Sequence, residues 1–248
     1  DICTILGVPE TGITNTYQSV DIPEKLTKLD TDQLRLLLDS TFKLEYKQYF
    51  LFIGAIEPKK NIGRMLEGYY QSGVQEKLVM VGPLAWKADS ELTLIDERRN
   101  STEVISNNTI TKIERVQRLD YVPFPMLINL IRGAKGLVFP SLYEGFGLPV
   151  LEAMLLGTPV ICSKEGSLAE VAGNAAHLVD AYNPQDIALG FKSFSSDQKL
   201  IENLSKEGIA QARKFSQQRY IKSLEGLYEC LFRNSQVQSK SHIKTKPC

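Results

Sequence analysis

Two glutamates, Glu144 and Glu152, bracket the run Gly145-Phe146-Gly147-Leu148-Pro149-Val150-Leu151. Gly145 and Gly147 open backbone angles closed to other residues and leave room for a ligand to approach the main chain. Pro149 suits the first turn of a helix. The amides of residues 145–148 would then project from a helix N-terminus, which favours a bound anion such as phosphate. Glu144, just before this turn, could accept hydrogen bonds from sugar hydroxyls. Glu152, about one turn into the helix, could take the paired hydroxyls of a ribose. The segment can therefore hold phosphate by its backbone and two sugars by its carboxylates. A plain capped helix with acids near its positive end uses the same residue types. The glycine turn between the acids, and the apolar run before them, favour the binding role.

Such a turn needs a rigid frame. A continuous apolar run of strand length occurs at 49–56 (YFLFIGAI), and further strands are read at 77–82 (KLVMVG), 116–122 (VQRLDYV), 136–140 (GLVFP), 158–163 (TPVICS) and 176–180 (AHLVD). Runs of this kind suit strands covered on both faces. Helical patterns lie between and after them. One starts near an Asp or Thr cap at 30–32, and one is capped by Asn61, with Ile62, Met65, Leu66, Tyr69 and Tyr70 on one face. Others cover 88–99, MLINLIRGA from Met126, 149–156, 184–194, 197–213 and 216–232. Residues 1–30 read as irregular, and the tail from 233 to 248 as a polar, disordered segment. Alternating strands and helices predict an α/β fold, a doubly wound parallel sheet of the Rossmann-like kind. Ligands of such sheets bind outside the carboxyl ends of the strands, so the informative loops are 54–61, 82–87 and 140–148.

The bulk numbers exclude several functions. The 248 residues are 43% hydrophobic, enough for one large core or two small ones. Lys+Arg and Asp+Glu both count 29, so no basic footprint for nucleic acid exists. No window holds the ~18 apolar residues of a membrane span, and the first residues, DICTILGVPE, do not read as a signal peptide. Cys3, Cys162, Cys230 and Cys248 are too scattered for a zinc site or a disulfide framework, which suggests a reducing cytoplasm. The sequons at Asn100, Asn107 and Asn203 are read as chance matches.

The segment FPSLYEGFGLPVLEAMLLGTPVICS resembles the C-terminal signature of glycosyltransferase family 4, retaining enzymes with the GT-B fold. The likeness runs upstream to YFLFIGAIEPKKNI and downstream through SLAEVAGNAAHLVD to FSQQRYIKSLEGLYECL, covering roughly residues 45–232. The resemblance implies that Glu144 contacts the donor sugar near the reacting carbon and that Glu152 binds the nucleotide's ribose. It implies that the amides around Gly145, Phe146, Gly147 and Leu148 hold sugar and diphosphate, and that the backbone near Val122 meets the nucleobase. The family often places an Arg and a Lys after the first strand of this domain, facing the diphosphate. Lys60 matches the Lys, while Ala55 stands at the Arg position. A subgroup has Arg-Lys-Asn where this chain has Lys59-Lys60-Asn61, so Lys59 becomes the candidate second cation. Chemistry agrees for Lys60, because a leaving diphosphate builds negative charge that a neighbouring lysine stabilises.

The resemblance thus implies a retaining transfer of a hexose, mannose by likeness to the subgroup, from a nucleotide-diphosphate sugar such as GDP-mannose or a UDP-sugar. The acceptor would be a glycan or lipid-linked glycan, met through an N-terminal domain or a partner chain. About 45 residues precede the donor domain, so residues 45–232 are expected to be a donor-binding half, acting in the cytoplasm or at the inner membrane face. The alternative is a non-catalytic nucleotide-sugar-binding module or subunit that needs a partner chain. No metal and no cofactor beyond the donor are expected. Asp30-Thr31-Asp32 looks like a DxD metal motif, but its position at a helix start makes capping the better reading. His177 reads as a core histidine, His242 as a tail residue, and Trp86 as equally suited to packing or to lining a cleft.

Overall fold

A computed structural model of the chain describes residues 2–86, 101–106 and 109–242. Two compact units are present, residues 22–213 and a smaller one made of 1–21 and 214–248.

The larger unit is built on a six-stranded parallel sheet. Its strands are β1 (Tyr49–Ile53), β2 (Lys77–Val81), β5 (Val116–Leu119), β6 (Gly136–Phe139), β7 (Val160–Ser163) and β8 (His177–Val179), in the order β5-β2-β1-β6-β7-β8. Each sits inside one of the six segments read as strands and is shorter than it. Gly54 (φ 156°) and Gly82 (φ 150°) end the regular pairing of β1 and β2. Residues 54–56 and 82–84 then continue only as an isolated bridge between Ile56 and Leu84. A separate antiparallel hairpin, β3 (Ser101–Ser106) with β4 (Thr109–Glu114), was not expected from the sequence. Its segments, STEVIS and TITKIE, hold fewer apolar residues than the inner strands of the sheet. The helix expected at 88–99 lies outside the described residues.

Helices cover the sheet. In the larger unit these are α2 (Thr31–Phe42), α3 (Ile62–Ser72), α4 (Phe124–Gly133), α5 (Leu148–Leu155), α6 (Gly166–Ala172), α7 (Pro184–Ser196) and α8 (Gln198–Ala212). Asp30 accepts from the amides of Asp32 (3.0 Å) and Gln33 (2.9 Å), and Gln33 returns a bond to the Asp30 amide. This capping box accounts for the acidic pair at 30–32. Strand side chains point into a dry core: Phe50 meets Phe191 edge-on at 4.9 Å, and Phe52 stacks on Phe139 at 6.1 Å. Burial of each such ring contributes about 1.5–3 kcal/mol. His177 lies half-buried on the outer strand, 6.1 Å from the Phe194 ring, and burial holds its imidazole below the ordinary 6.5.

The smaller unit contains α1 (Ile2–Leu6) and α9 (Gln217–His242). The Val20 amide donates to the Phe215 carbonyl at 3.0 Å, and Tyr17 packs edge-on against Phe215 at 5.6 Å. Residues 1–30, irregular by sequence pattern, form α1 and 3-10 turns at Glu10–Gly12 and Glu24–Leu26. The last helix, expected to end near 232, runs on to His242. The extension RNSQVQSKSH has no proline or glycine to stop it, and low hydrophobicity does not itself end a helix.

Gly68 is where α3 crosses α7. A Cβ there would lie 2.8 Å from the Pro184 carbonyl oxygen and 2.9 Å from the Ile187 side chain. Alanine would gain about 1 kcal/mol of helix propensity but force apart a contact that includes rigid backbone, typically costing about 1–3 kcal/mol. Gly68→Ala should therefore lower stability by about 1 kcal/mol in urea denaturation, although most glycine-to-alanine changes inside helices raise it.

Candidate functional site

Numbered along the sheet, the strand order is the doubly wound 3-2-1-4-5-6, which changes direction between β1 and β6. Loops leaving these two strands diverge to opposite faces and open a crevice at their carboxyl ends. The loop after β1 carries Lys59 and Lys60. The loop after β6 carries Glu144 and the glycine turn.

The two loops meet. Lys60 Nζ lies 2.6 Å from Glu144 Oε1, with both side chains 11% exposed. The ammonium also sits 4.9 Å from the centre of the Phe139 ring. The Leu142 amide donates to the Lys59 carbonyl at 2.8 Å, and the Ser167 hydroxyl to the Glu144 carbonyl at 2.8 Å. Gly147 is the N-cap of α5 with φ 109°, a left-handed value that glycine tolerates best. A Cβ there would also approach the Leu168 side chain to 2.6 Å. Among the described residues the amides of Gly145, Gly147 and Leu148 find no acceptor, and Gly145 has open space beside it. Unpartnered amides at a helix start favour an anion. Glu152, on α5, is half-buried and makes no ion pair or side-chain hydrogen bond among the described residues. Burial holds its carboxyl above the ordinary 4.5.

The remaining candidates lie further out. Lys59 is exposed and pairs with Glu57 at 3.2 Å, so its charge is already engaged. Phe146 is half-buried in the turn, and Leu148 is 37% exposed. Val122 is half-buried between β5 and α4, at the far edge of the sheet from β8. Ala55, at the position of the expected arginine, is half-buried after β1. Trp86 is exposed and donates to Glu57 at 3.2 Å. Among the described residues no cluster of three or more His, Cys, Asp or Glu could hold a metal ion.

Residues 38–211 match the family model described as "Glycosyl transferases group 1". The chain belongs to this family. Over 179 residues it is 34% identical to the O-antigen chain mannosyltransferase B of Escherichia coli, covering 71% of this chain and 44% of that protein. Over 200 residues it is 31% identical to the O-antigen chain mannosyltransferase RfbU of Salmonella typhimurium, covering 77% and 51%. The chain thus spans about half the length of these relatives. Among solved structures, an Anabaena protein crystallised with UDP and glucose superposes with TM-score 0.67 at 18% identity, over 86% of this chain and 55% of that one. That likeness extends to the GT-B glycosyltransferase fold.

Two residues of this group 1 chain escaped the sequence reading. Asn61 was read as a helix cap, and it does stand at the start of α3, but in a left-handed conformation (φ 60°) with no side-chain cap bond. Its buried amide donates instead to the Pro140 carbonyl (3.0 Å) and the Ala181 carbonyl (2.6 Å). It thereby ties the loops after β1, β6 and β8. Ser167 fixes Glu144 from α6, 23 residues further along the chain. Asn61 directly after a lysine pair offered a weak signal, since asparagine is among the few residues that tolerate left-handed angles. Ser167 offered none. The Lys60–Glu144 contact was also missed, because each residue was assigned to a ligand and not to the other.

Removing one member of a buried ion pair strands the other charge. Lys60→Ala and Glu144→Ala should each lower stability by about 3 kcal/mol. The double variant should lose clearly less than the sum, as a double-mutant cycle by urea denaturation would read.

Glu152 gives a second prediction. The folded state keeps its proton to higher pH than the unfolded chain does, so ionisation costs stability as pH rises above the ordinary 4.5. Glu152→Gln should resist urea better than wild type near neutral pH, and the difference should vanish well below pH 4.5.

Proposed function

We propose that this chain is the donor-binding part of a retaining glycosyltransferase that moves a hexose, mannose in the first instance, from a nucleotide-diphosphate sugar to a glycan or lipid-linked glycan. The observation that carries the reading is the group at the sheet's switch point: the Glu144–Lys60 pair, the unpartnered amides of Gly145, Gly147 and Leu148, and the unpartnered Glu152. Each supplies what one part of such a donor needs. The amides donate to the diphosphate. Lys60 stands where charge accumulates as the diphosphate leaves. Glu144, turned by Lys60 and held by Ser167 through its carbonyl, receives hydroxyls of the sugar. Glu152 receives the ribose hydroxyls, whose donors would replace the partners it lacks. Val122 lies at the strand edge where a nucleobase would extend, and Lys59 would have to release Glu57 to reach the phosphates.

In the transfer, the bond between the sugar's anomeric carbon and the diphosphate oxygen breaks, and its electron pair leaves with the phosphate. The acceptor hydroxyl oxygen bonds to the same face of that carbon. Its proton passes to the leaving phosphate oxygen. The acceptor is presented by a further domain or a partner chain at the cytoplasmic side. The choice of mannose rests on the two O-antigen mannosyltransferase relatives, and the choice of a nucleotide-sugar donor on the family and on the UDP and glucose held by the Anabaena protein.

Calorimetric titration with GDP-mannose, UDP-glucose and UDP-N-acetylglucosamine tests the proposal. One nucleotide sugar should bind, GDP-mannose first. Glu152→Ala should weaken it by about 1–3 kcal/mol, the cost of leaving buried hydroxyls unpaired. Failure of all three to bind overturns the donor reading, and equal affinity for wild type and variant removes Glu152 from the site.

A further inference from the structure

At the opposite, amino-terminal end of the sheet lies a cavity of about 270 Å³. Its wall includes Lys47, just before β1, Lys135, just before β6, and Pro159, just before β7. Gln198, Glu202 and Lys206 of α8 line it from the other side. Nothing in the donor site uses these residues.

Lys47 is held in an unusual way. Its backbone is left-handed (φ 60°), and its amide donates to the Gly133 carbonyl at 2.8 Å, which fixes the root of the side chain. Nζ then donates to the carbonyls of Arg132 and Ala134, both at 2.8 Å, at the end of α4. It lies 5.3 Å from the Tyr46 ring. Lys60, Lys135 and Lys164 each face a carboxylate, but no carboxylate pairs with Lys47 among the described residues. The neutral amine has two N–H groups, which the two carbonyls satisfy, and a lone pair that remains free. Burial, and then the Arg132 guanidinium, push the ammonium down to about 8. A lysine that is desolvated and set beside another cation is the arrangement that makes an amine nucleophilic.

The charges around the cavity indicate what would reach it. Lys135 is occupied by Glu76. Glu202 accepts from the Gln198 amide at 3.1 Å. Lys206 is exposed and has no partner among the described residues, so it can meet an incoming phosphoryl group.

We propose that Lys47 is a selective acylation site for small acyl phosphates, with Lys206 receiving the phosphoryl group. The lone pair of Nζ attacks the acyl carbonyl carbon and a C–N bond forms. The C–O bond to phosphate breaks, inorganic phosphate leaves with the electron pair, and the extra proton on nitrogen passes to solvent. The product amide keeps one N–H, so one of the two α4 carbonyls loses its donor.

The test is site-resolved peptide mass spectrometry after brief exposure of the chain to acetyl phosphate. Near pH 8 Lys47 should be acetylated about tenfold faster than the median lysine, because a far larger fraction of it is free amine. Its rate should rise through a midpoint near 8, and the preference should vanish in denaturing urea. Lys206→Gln, a change at an exposed position, should slow acetyl phosphate severalfold and leave the neutral reagent acetyl N-hydroxysuccinimide ester unaffected. Labelling of Lys47 no faster than the median in the folded chain overturns the proposal. Equal slowing of both reagents by Lys206→Gln overturns the role given to Lys206.

Discussion

A parallel sheet sends every strand's carboxyl end to the same edge, and a doubly wound one must reverse its direction of growth once. In this chain the reversal falls between β1 and β6. Their loops leave toward opposite faces, and the polar groups at the gap are not covered by crossing chain. The fold would pull this region apart without a tie. Asn61 provides one, through buried bonds to the carbonyls after β6 and β8. The Leu142 amide adds another across the gap, to the carbonyl of Lys59. The crevice is therefore open to a ligand and narrow enough for Lys60 to reach Glu144.

Within that crevice the side chains are not at their most stable arrangement for the protein alone. Among the described residues, half-buried Glu152 has no donor, and the amides of Gly145, Gly147 and Leu148 point at no acceptor. Such groups cost stability unless something outside the chain satisfies them. A polyhydroxylated anion satisfies both kinds at once, since hydroxyls donate to carboxylates and phosphate accepts from amides. The Glu144–Lys60 pair behaves differently. It is balanced internally, so ligand entry must exchange one partner for another instead of filling an empty place. Glu152 and the turn thus favour binding, while the pair keeps the two loops in register before binding.

The frame was legible from the residues because the inner parallel strands, β1, β2, β6 and β7, are mostly apolar, and all six segments read as strands joined the sheet. The order of those strands was not legible. Alternation of strand and helix fits more than one doubly wound order, and only tertiary pairing places β1 beside β6. For the same reason the glycine turn could be placed on a loop and the lysine pair on another, but not the contact of Lys60 with Glu144 across 84 positions of chain. Asn61 misled because one residue type serves two purposes. A side chain able to cap its own helix can instead turn inward when the backbone adopts a left-handed angle. The hairpin at 101–114 was missed because a two-stranded ribbon has no second covered face to demand apolar residues.

The two ends of the sheet show how one residue type is turned to different uses by its acceptors. Lys60, at the carboxyl end, faces a carboxylate at 2.6 Å and an aromatic ring, both of which suit a cation. Lys47, at the amino end, faces two neutral carbonyls and lies near a guanidinium. Carbonyl dipoles can hydrogen-bond an ammonium or an amine, so they do not offset the loss of water as a full negative charge does. Desolvation then decides the outcome at Lys47, and it becomes a base and a nucleophile where Lys60 remains an electrostatic partner. Neither difference can be read from the flanking sequence: Lys60 follows another lysine and Lys47 follows a tyrosine, and what separates them comes from residues about eighty positions away or more.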